Sequence, residues 1–208
     1  VERHREVQYM ESLMEDLAKD KYDIGECTKF TITQIGYIDT AITLLSEDNW
    51  TPENIKKIYR ASLKVSGNRP STFIDRTSAQ LRSGGMRLIE DKKVATLITE
   101  YWQLIAQFNE YETVTIHEYK MNVKNMTYKI FDGTKYLDGK NKIIKDDATL
   151  MTYEDNFLKE YLNRLLNLNY DLKAFVLQYF YKKLDNKIDE LQSAIASKYH
   201  IDIEKSSK

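Results

Sequence analysis

Mostly apolar side chains recur every three or four residues along the first 45 positions of the chain. These positions are Val7, Met10, Met14, Leu17, Lys21, Ile24, Thr28, Thr31, Ile35, Ile38, Ile42 and Leu45. Such spacing follows one face of an α-helix, so it predicts a first helix over residues 2–45. At about 1.5 Å per residue this helix would extend for about 65 Å. The molecule is therefore expected to be elongated.

Three later segments show the same helical spacing. A second helix is predicted from Thr51-Pro52-Glu53, because threonine caps a first turn and proline fits its first position. Residues 92–130 predict a third helix, and residues 152–199 predict a last one whose apolar face includes Phe175 and Tyr179. We therefore predict an all-α fold, an elongated antiparallel helical bundle of three long helices plus one or two short ones. It is expected to form a single domain over residues 1–208.

The connector between the second and third helices, residues 66–91, is the least regular segment. It is expected to hold a short helix over residues 75–83. Gly84 and Gly85 follow that helix, and glycines at this place predict a left-handed turn that ends it.

A second irregular segment covers residues 131–151. Asp-Gly pairs at 132–133 and 138–139 are turn signals, and short β-like runs lie beside them. They predict either a small hairpin near residues 128–145 or an ordered loop. Residues 201–208 are expected to form a fraying tail.

The charge and composition exclude several classes of protein. The 31 basic residues are balanced by 32 acidic ones, so no field attracts nucleic acid. No run of 18 or more apolar residues occurs, so this chain contains no predicted membrane span. The helical pattern is already in phase at Val7 and no capping residue precedes it. We therefore expect the first helix to continue upstream of Val1 in the natural protein. Removal of an initiator methionine before Val1 is the alternative and would give the same sequence.

Few residues suggest catalysis or metal binding. His4, His117 and His200 are far apart, and Met121 stands where a zinc-binding helix motif would need its second histidine. Cys27 is the only cysteine, so neither an intrachain disulfide nor a cysteine-based metal site is predicted. We expect no metal, no cofactor and no catalytic residues.

Half of the eight arginines lie within 19 residues of the connector, where no lysine occurs. Arginine offers a planar fork that suits carboxylate or phosphate. One hypothesis is therefore an anion-binding site. Its residues would be Arg69, Arg76, Thr77, Arg82, Gly84, Gly85 and Arg87. The alternative, which we favour, is that these arginines pair with Asp75, Glu90 and Asp91 and fix the connector as a structural joint.

Acidic residues also cluster along one flank of the first helix. The cluster contains Glu15, Asp16, Asp20 and Asp23, and Lys19 and Lys21 lie among them. Mixed charges on a helix usually form a solvated face with weak local pairs. This flank is therefore expected to face water.

The connector also carries a resemblance to a known family. The block from Thr72 to Ile89, with Leu81, Ser83-Gly84 and Leu88-Ile89 at characteristic places, continues into residues 92–102. It resembles an uncharacterised family of small single-pass membrane proteins from Bacteroidetes-type bacteria. Residues 9–20 are similar to that family's helix just after its membrane span.

The resemblance implies an inner-membrane protein in which an upstream span is preceded by a short basic segment. This layout would place the present domain in the periplasm. The leading hypothesis is therefore a membrane-tethered extracytoplasmic interaction or sensory module, which meets a protein partner or a second copy through its helices. A binding domain for a small anionic ligand is the alternative, and an envelope enzyme is the third.

Overall fold

The computed structural model describes residues 2–132, 150–152 and 154–201 of the chain. Over these residues the fold is all-α, as predicted, and the predicted extent of the first helix agrees with the structure to within one residue. The helices are α1 (Glu2–Ser46), α2 (Pro52–Val65), α3 (Arg76–Arg82), α4 (Lys92–Tyr111), α5 (His117–Ile130), α6 (Asp155–Asp171) and α7 (Lys182–Tyr199).

Two π-helical segments join consecutive α-helices without a break in the chain's helical course. Glu112–Ile116 lies between α4 and α5, and Leu172–Tyr181 lies between α6 and α7. A π-helix closes its hydrogen bonds five residues apart, so each segment changes the direction in which successive side chains point. A 3-10 turn, Gly85–Leu88, follows α3.

Most of the predicted hairpin, residues 133–145, lies outside the described part of the chain, whereas residues 128–130 belong to α5 and are not a strand. At its edges the structure has one isolated antiparallel bridge, between Phe131 and Leu150. Residues 202–208 of the predicted tail also lie outside the described residues.

Local sequence signals account for two helix ends. The hydroxyl of Thr51 accepts the Asn54 N–H at 3.2 Å, and Pro52 occupies the first position of α2, as predicted. Beyond α3, Gly84 adopts a φ of 129°, which favours glycine because a side chain there is strained. The predicted left-handed turn is therefore confirmed at Gly84.

The chain packs into two compact units, each built from segments that are distant in the sequence. The first unit comprises Val1–Lys29, Pro70–Asn109 and Leu177–Lys208. The second unit comprises Phe30–Arg69 and Glu110–Val176.

The first unit has an apolar core with an aromatic centre. Phe108 is fully buried, and its ring centroid lies 6.1 Å from that of Phe73, 5.4 Å from Phe180 and 5.3 Å from Tyr181. Aromatic pairs at such distances add a favourable electrostatic contribution to the burial of their surface. α1 contributes several fully or nearly fully buried side chains to this unit, namely Met10, Leu13, Met14, Leu17 and Ile24.

The second unit is organised around α5, which packs against both α2 and α6. Tyr161 of α6 is completely buried, and its hydroxyl is hydrogen-bonded to Ser62 and lies 3.3 Å from the Thr127 hydroxyl. Burial raises the pKa of Tyr161 to about 12. This neutral network satisfies polar groups that would otherwise destabilise the core.

Candidate functional site

A row of four carboxylates on α1 binds the backbone of the connector in the first unit. Each accepts one backbone N–H, and three of the four residues, Glu6, Asp16 and Asp20, are only 2% exposed. The bonds join Asp23 to Thr72 (3.0 Å), Asp20 to Ile74 (2.8 Å), Asp16 to Thr77 (3.1 Å) and Glu6 to Glu90 (2.9 Å). We call Glu6, Asp16, Asp20 and Asp23 the carboxylate row.

The prediction of a solvated acidic flank is wrong for Asp16 and Asp20. The connector crosses this flank with an irregular backbone, and its N–H groups need acceptors when they are covered. Carboxylates supply strong ones. The spacing of residues 16, 20 and 23 repeats the steps of the apolar pattern. That periodicity was the sequence signal for burial.

Asp20 lies at the centre of the carboxylate row. Its second oxygen accepts a hydrogen bond from the buried Tyr101 hydroxyl at 2.7 Å. Burial raises the pKa of Asp20 to about 6, and the charges of Asp16 and Asp23 act in the same direction. The bonds from Ile74 and Tyr101 oppose this rise but do not cancel it.

Two arginines of the predicted ligand site, Arg76 and Arg82, have carboxylate partners within the first unit. Arg76 lies 3.4 Å from both Glu15 and Asp16. Arg82 lies 3.6 Å from Asp75, and its guanidinium is 4.8 Å from the centre of the Trp102 ring. These contacts support the interpretation of the connector as a structural joint.

The remaining predicted ligand residues differ in their surroundings. Arg69 belongs to the second unit, whereas Arg87 is exposed on the 3-10 turn of the first. Thr77 is fully buried, and within the described chain its hydroxyl has no hydrogen-bond partner. Gly85 is also buried, and a β-carbon there would lie 3.1 Å from the Gln80 carbonyl oxygen. Anion binding by this set stays a prediction.

In the second unit, two side chains from neighbouring helices cap the end of α2. Gln34 donates to the carbonyl oxygens of Val65 (3.1 Å) and Gly67 (2.6 Å). The Lys120 ammonium donates to the Gly67 carbonyl at 3.1 Å and to the Asn68 side chain at 3.0 Å. Burial lowers the pKa of Lys120 to about 8. Gln34 thereby satisfies the Val65 carbonyl, which the last helical turn leaves unpaired, and Lys120 binds the two residues that follow the helix end.

The second unit also exposes a cluster of aromatic rings. The ring centroid of Phe175 lies 5.7 Å from that of Tyr111 and 6.0 Å from that of Tyr170. Phe175 is 40% exposed and Tyr170 is 63% exposed. Val114 is 60% exposed and lies three residues after Tyr111. Leu166 is 45% exposed and lies four residues before Tyr170. We call these five residues the aromatic surface.

The predicted apolar face of the last helix includes Phe175 and Tyr179, but both side chains are at least 40% exposed. Both residues belong to the π-helical segment Leu172–Tyr181. A count at 3.6 residues per turn loses its phase in such a segment. The sequence offered no visible signal for this change of winding.

Polar contacts fix the position of the helical segment that carries this surface. Asp39 of α1 accepts hydrogen bonds from Lys173 at 2.9 Å and from Asn169 at 2.6 Å. Burial, followed by the charge of Asp171 and a hydrogen bond to it, raises the pKa of Tyr111 above its usual range. Tyr111 is therefore a neutral, anchored ring, and a carboxylate lies beside it.

Other candidates give no further site within residues 2–132, 150–152 and 154–201. No group of three or more histidine, cysteine, aspartate or glutamate side chains there is arranged to hold a metal ion. Cys27 is buried, and its sulfur lies 3.7 Å from the Ser71 hydroxyl. None of the described helices combines the length and the apolar character that crossing a membrane requires.

Comparison with protein-family models, with curated proteins and with solved structures finds no match to this chain. The fold defines an all-α protein. Its two notable features are a connector held by buried carboxylates and an exposed aromatic surface.

Proposed function

We propose that this chain is a helical-bundle interaction or sensory module, tethered to the membrane and exposed on the extracytoplasmic side, and that it does not act as an enzyme. The main support for an interaction function is the aromatic surface of the second unit. The tether and the location rest on the family resemblance of residues 9–20 and 72–102.

The aromatic surface supports this proposal because its rings contact one another. Single exposed apolar side chains are ordinary on protein surfaces, whereas clustered ones mark interaction sites. Tyrosine and phenylalanine are also enriched at protein interfaces, where they bury large areas with little loss of conformational entropy. Exposed fractions of 40% for Phe175 and 63% for Tyr170 leave much of that area to be covered by a partner.

The alternative, a binding domain for a small anionic ligand, has weaker support. An anion would have to compete with Glu15 and Asp16 for Arg76, and with Asp75 for Arg82. The enzyme alternative stays a prediction and has no supporting contact among the described residues.

Site-specific photo-crosslinking in the organism that encodes the protein tests the interaction function. A photoreactive phenylalanine analogue replaces Tyr170 in one strain and Tyr22 in another. Tyr22 is the matched control, because it is 72% exposed and belongs to the first unit. We expect one discrete adduct from position 170 that position 22 does not give. Absence of an adduct at 170, or the same adducts at both positions, would overturn the proposal.

Fractionation of the same cells tests the location separately. The full-length protein is expected in the inner-membrane fraction, and protease added to spheroplasts is expected to digest this domain. Recovery in the cytosolic fraction, or resistance to protease in intact spheroplasts, would contradict the tether and leave the interaction result unaffected.

A further inference from the structure

This inference rests on the proposed function and specifies the partner: we infer that the aromatic surface recognises a protein segment that presents an arginine or lysine side chain between apolar residues. The cationic group would lie against the rings of Tyr170 and Phe175. The flanking apolar residues would cover Val114 and Leu166.

The arrangement of the rings suits a cation. The Phe175 ring is inclined at 41° to Tyr111 and at 74° to Tyr170, so the three rings do not form a flat stack. An aromatic ring carries negative charge density on its faces, which attract ammonium and guanidinium groups. Rings inclined to one another can present faces to a single group from different directions.

The charges around the rings also favour a cation over an anion. The carboxylate of Asp171 is hydrogen-bonded to Tyr111, and the exposed Glu110 precedes Tyr111 in the chain. Lys173 is a nearby cation in the sequence, and its ammonium is bound to Asp39 at 2.9 Å and 3.1 Å. Complementary charge at an interface selects partners more strongly than it raises affinity. A basic segment is therefore the matching class.

The first unit shows that this protein already pairs cations with rings on helices. The Lys183 ammonium lies 4.6 Å from the centre of the Tyr179 ring, and the Arg82 guanidinium lies 4.8 Å from that of Trp102. Both contacts use groups of the same unit. In the second unit, the exposed residues Tyr170 and Phe175 would offer the same chemistry to a group supplied by another molecule.

Fluorescence polarisation with two peptides tests the inference on the purified chain. One labelled peptide alternates arginine with leucine, and the other has uncharged citrulline in place of arginine. We expect the arginine peptide to bind about fivefold more tightly, since a cation–π contact at an exposed site contributes up to about 1 kcal/mol. Tyr170→Ser and Phe175→Ser are each expected to weaken its binding about fivefold.

Two further variants separate recognition from unfolding and from unspecific attraction. Tyr170→Leu keeps apolar bulk without a ring, and it is expected to reduce the preference for the arginine peptide while leaving the binding of the citrulline peptide nearly unchanged. Tyr22→Ser removes an exposed ring from the other unit and is expected to change nothing.

Equal binding of the two peptides by the unsubstituted protein would overturn the cationic partner. So would an equal loss of affinity in Tyr22→Ser. The proposed interaction function would survive either result if position 170 still gave its discrete crosslink in cells.

Discussion

Replacing Asp20 with asparagine should make the stability of the protein respond differently to pH. Asp20 is 2% exposed, and its two oxygens accept bonds from the Ile74 N–H and the Tyr101 hydroxyl. Asparagine has nearly the same shape but only one acceptor oxygen and no titrating group. It therefore removes a buried charge and loses one hydrogen bond.

The size of the effect follows from the pKa of Asp20. Burial raises this pKa from 3.8 to about 6, which corresponds to about 3 kcal/mol of unfavourable interaction for the charged form. The folded protein consequently binds more protons than the unfolded chain between these two values. Its free energy of unfolding rises as the pH falls through about 6, and the gain is complete near 3.8.

At neutral pH the two effects of Asp20→Asn oppose each other. Loss of the charge would stabilise the variant by about 3 kcal/mol, and the donor left without an acceptor would cost about 1–3 kcal/mol. The difference between variant and parent at one pH is therefore a weak test. Its change with pH is a strong one, because only the parent titrates at this position.

Urea unfolding at pH 7.5 and pH 5.0, followed by circular dichroism, gives the required free energies. Relative to the variant, the parent is expected to gain about 1 kcal/mol between the two pH values. Glu11→Gln, which removes an exposed carboxylate from the same helix, should show no such change and serves as the control. A parent-to-variant difference that stays constant from pH 7.5 to pH 5.0 would refute the reasoning about Asp20.

Four further substitutions test other parts of the structure by thermal or urea unfolding. Thr77→Val replaces a buried hydroxyl that has no partner in the described chain, and it should raise the free energy of unfolding by about 1 kcal/mol; a loss would reveal a bond to that hydroxyl. Gly84→Ala should cost about 1–2 kcal/mol, because alanine is strained at a φ of 129°, whereas Gly25→Ala within α1 should stabilise by up to about 1 kcal/mol. Burial lowers the pKa of Lys120 to about 8, so the free energy of unfolding of the parent should rise as Lys120 deprotonates above this pH. Relative to Lys120→Met, the parent should therefore gain about 1 kcal/mol between pH 7 and pH 9. A difference between the two proteins that does not change with pH would contradict the burial of Lys120.

Helix positions were predictable from this sequence because two strong local signals agree. The apolar pattern of α1 continues for 45 residues, and Thr51-Pro52 marks the start of α2. Both signals depend on residues that are close together in the chain. The Gly84 turn is local in the same sense.

The contacts that shape the candidate sites were less predictable, because they join distant residues. The acceptors on α1 and their donors in the connector are between 49 and 84 residues apart in the sequence. The residues adjacent to Asp16 and Asp20 in the chain therefore predict a solvated face. Phe175 lies in a π-helical segment, to which the period of 3.6 residues per turn does not apply. Pairing of the connector arginines with acids was anticipated, and Arg82 does lie beside the predicted Asp75. Arg76 instead pairs with acids of α1, which are about 60 residues away in the chain.

The carboxylate row binds backbone N–H groups of the connector, and this determines which substitutions the donor residues tolerate. Every non-proline residue carries the N–H that these acids need, so residue identity at 72, 74, 77 and 90 is irrelevant to the four bonds. In a deep substitution scan, proline alone should fail at those four places for this reason. On the α1 side, each acid should accept few replacements. As related sequences diverge, substitutions should therefore accumulate at the donor residues of the connector rather than at the acceptor residues of α1.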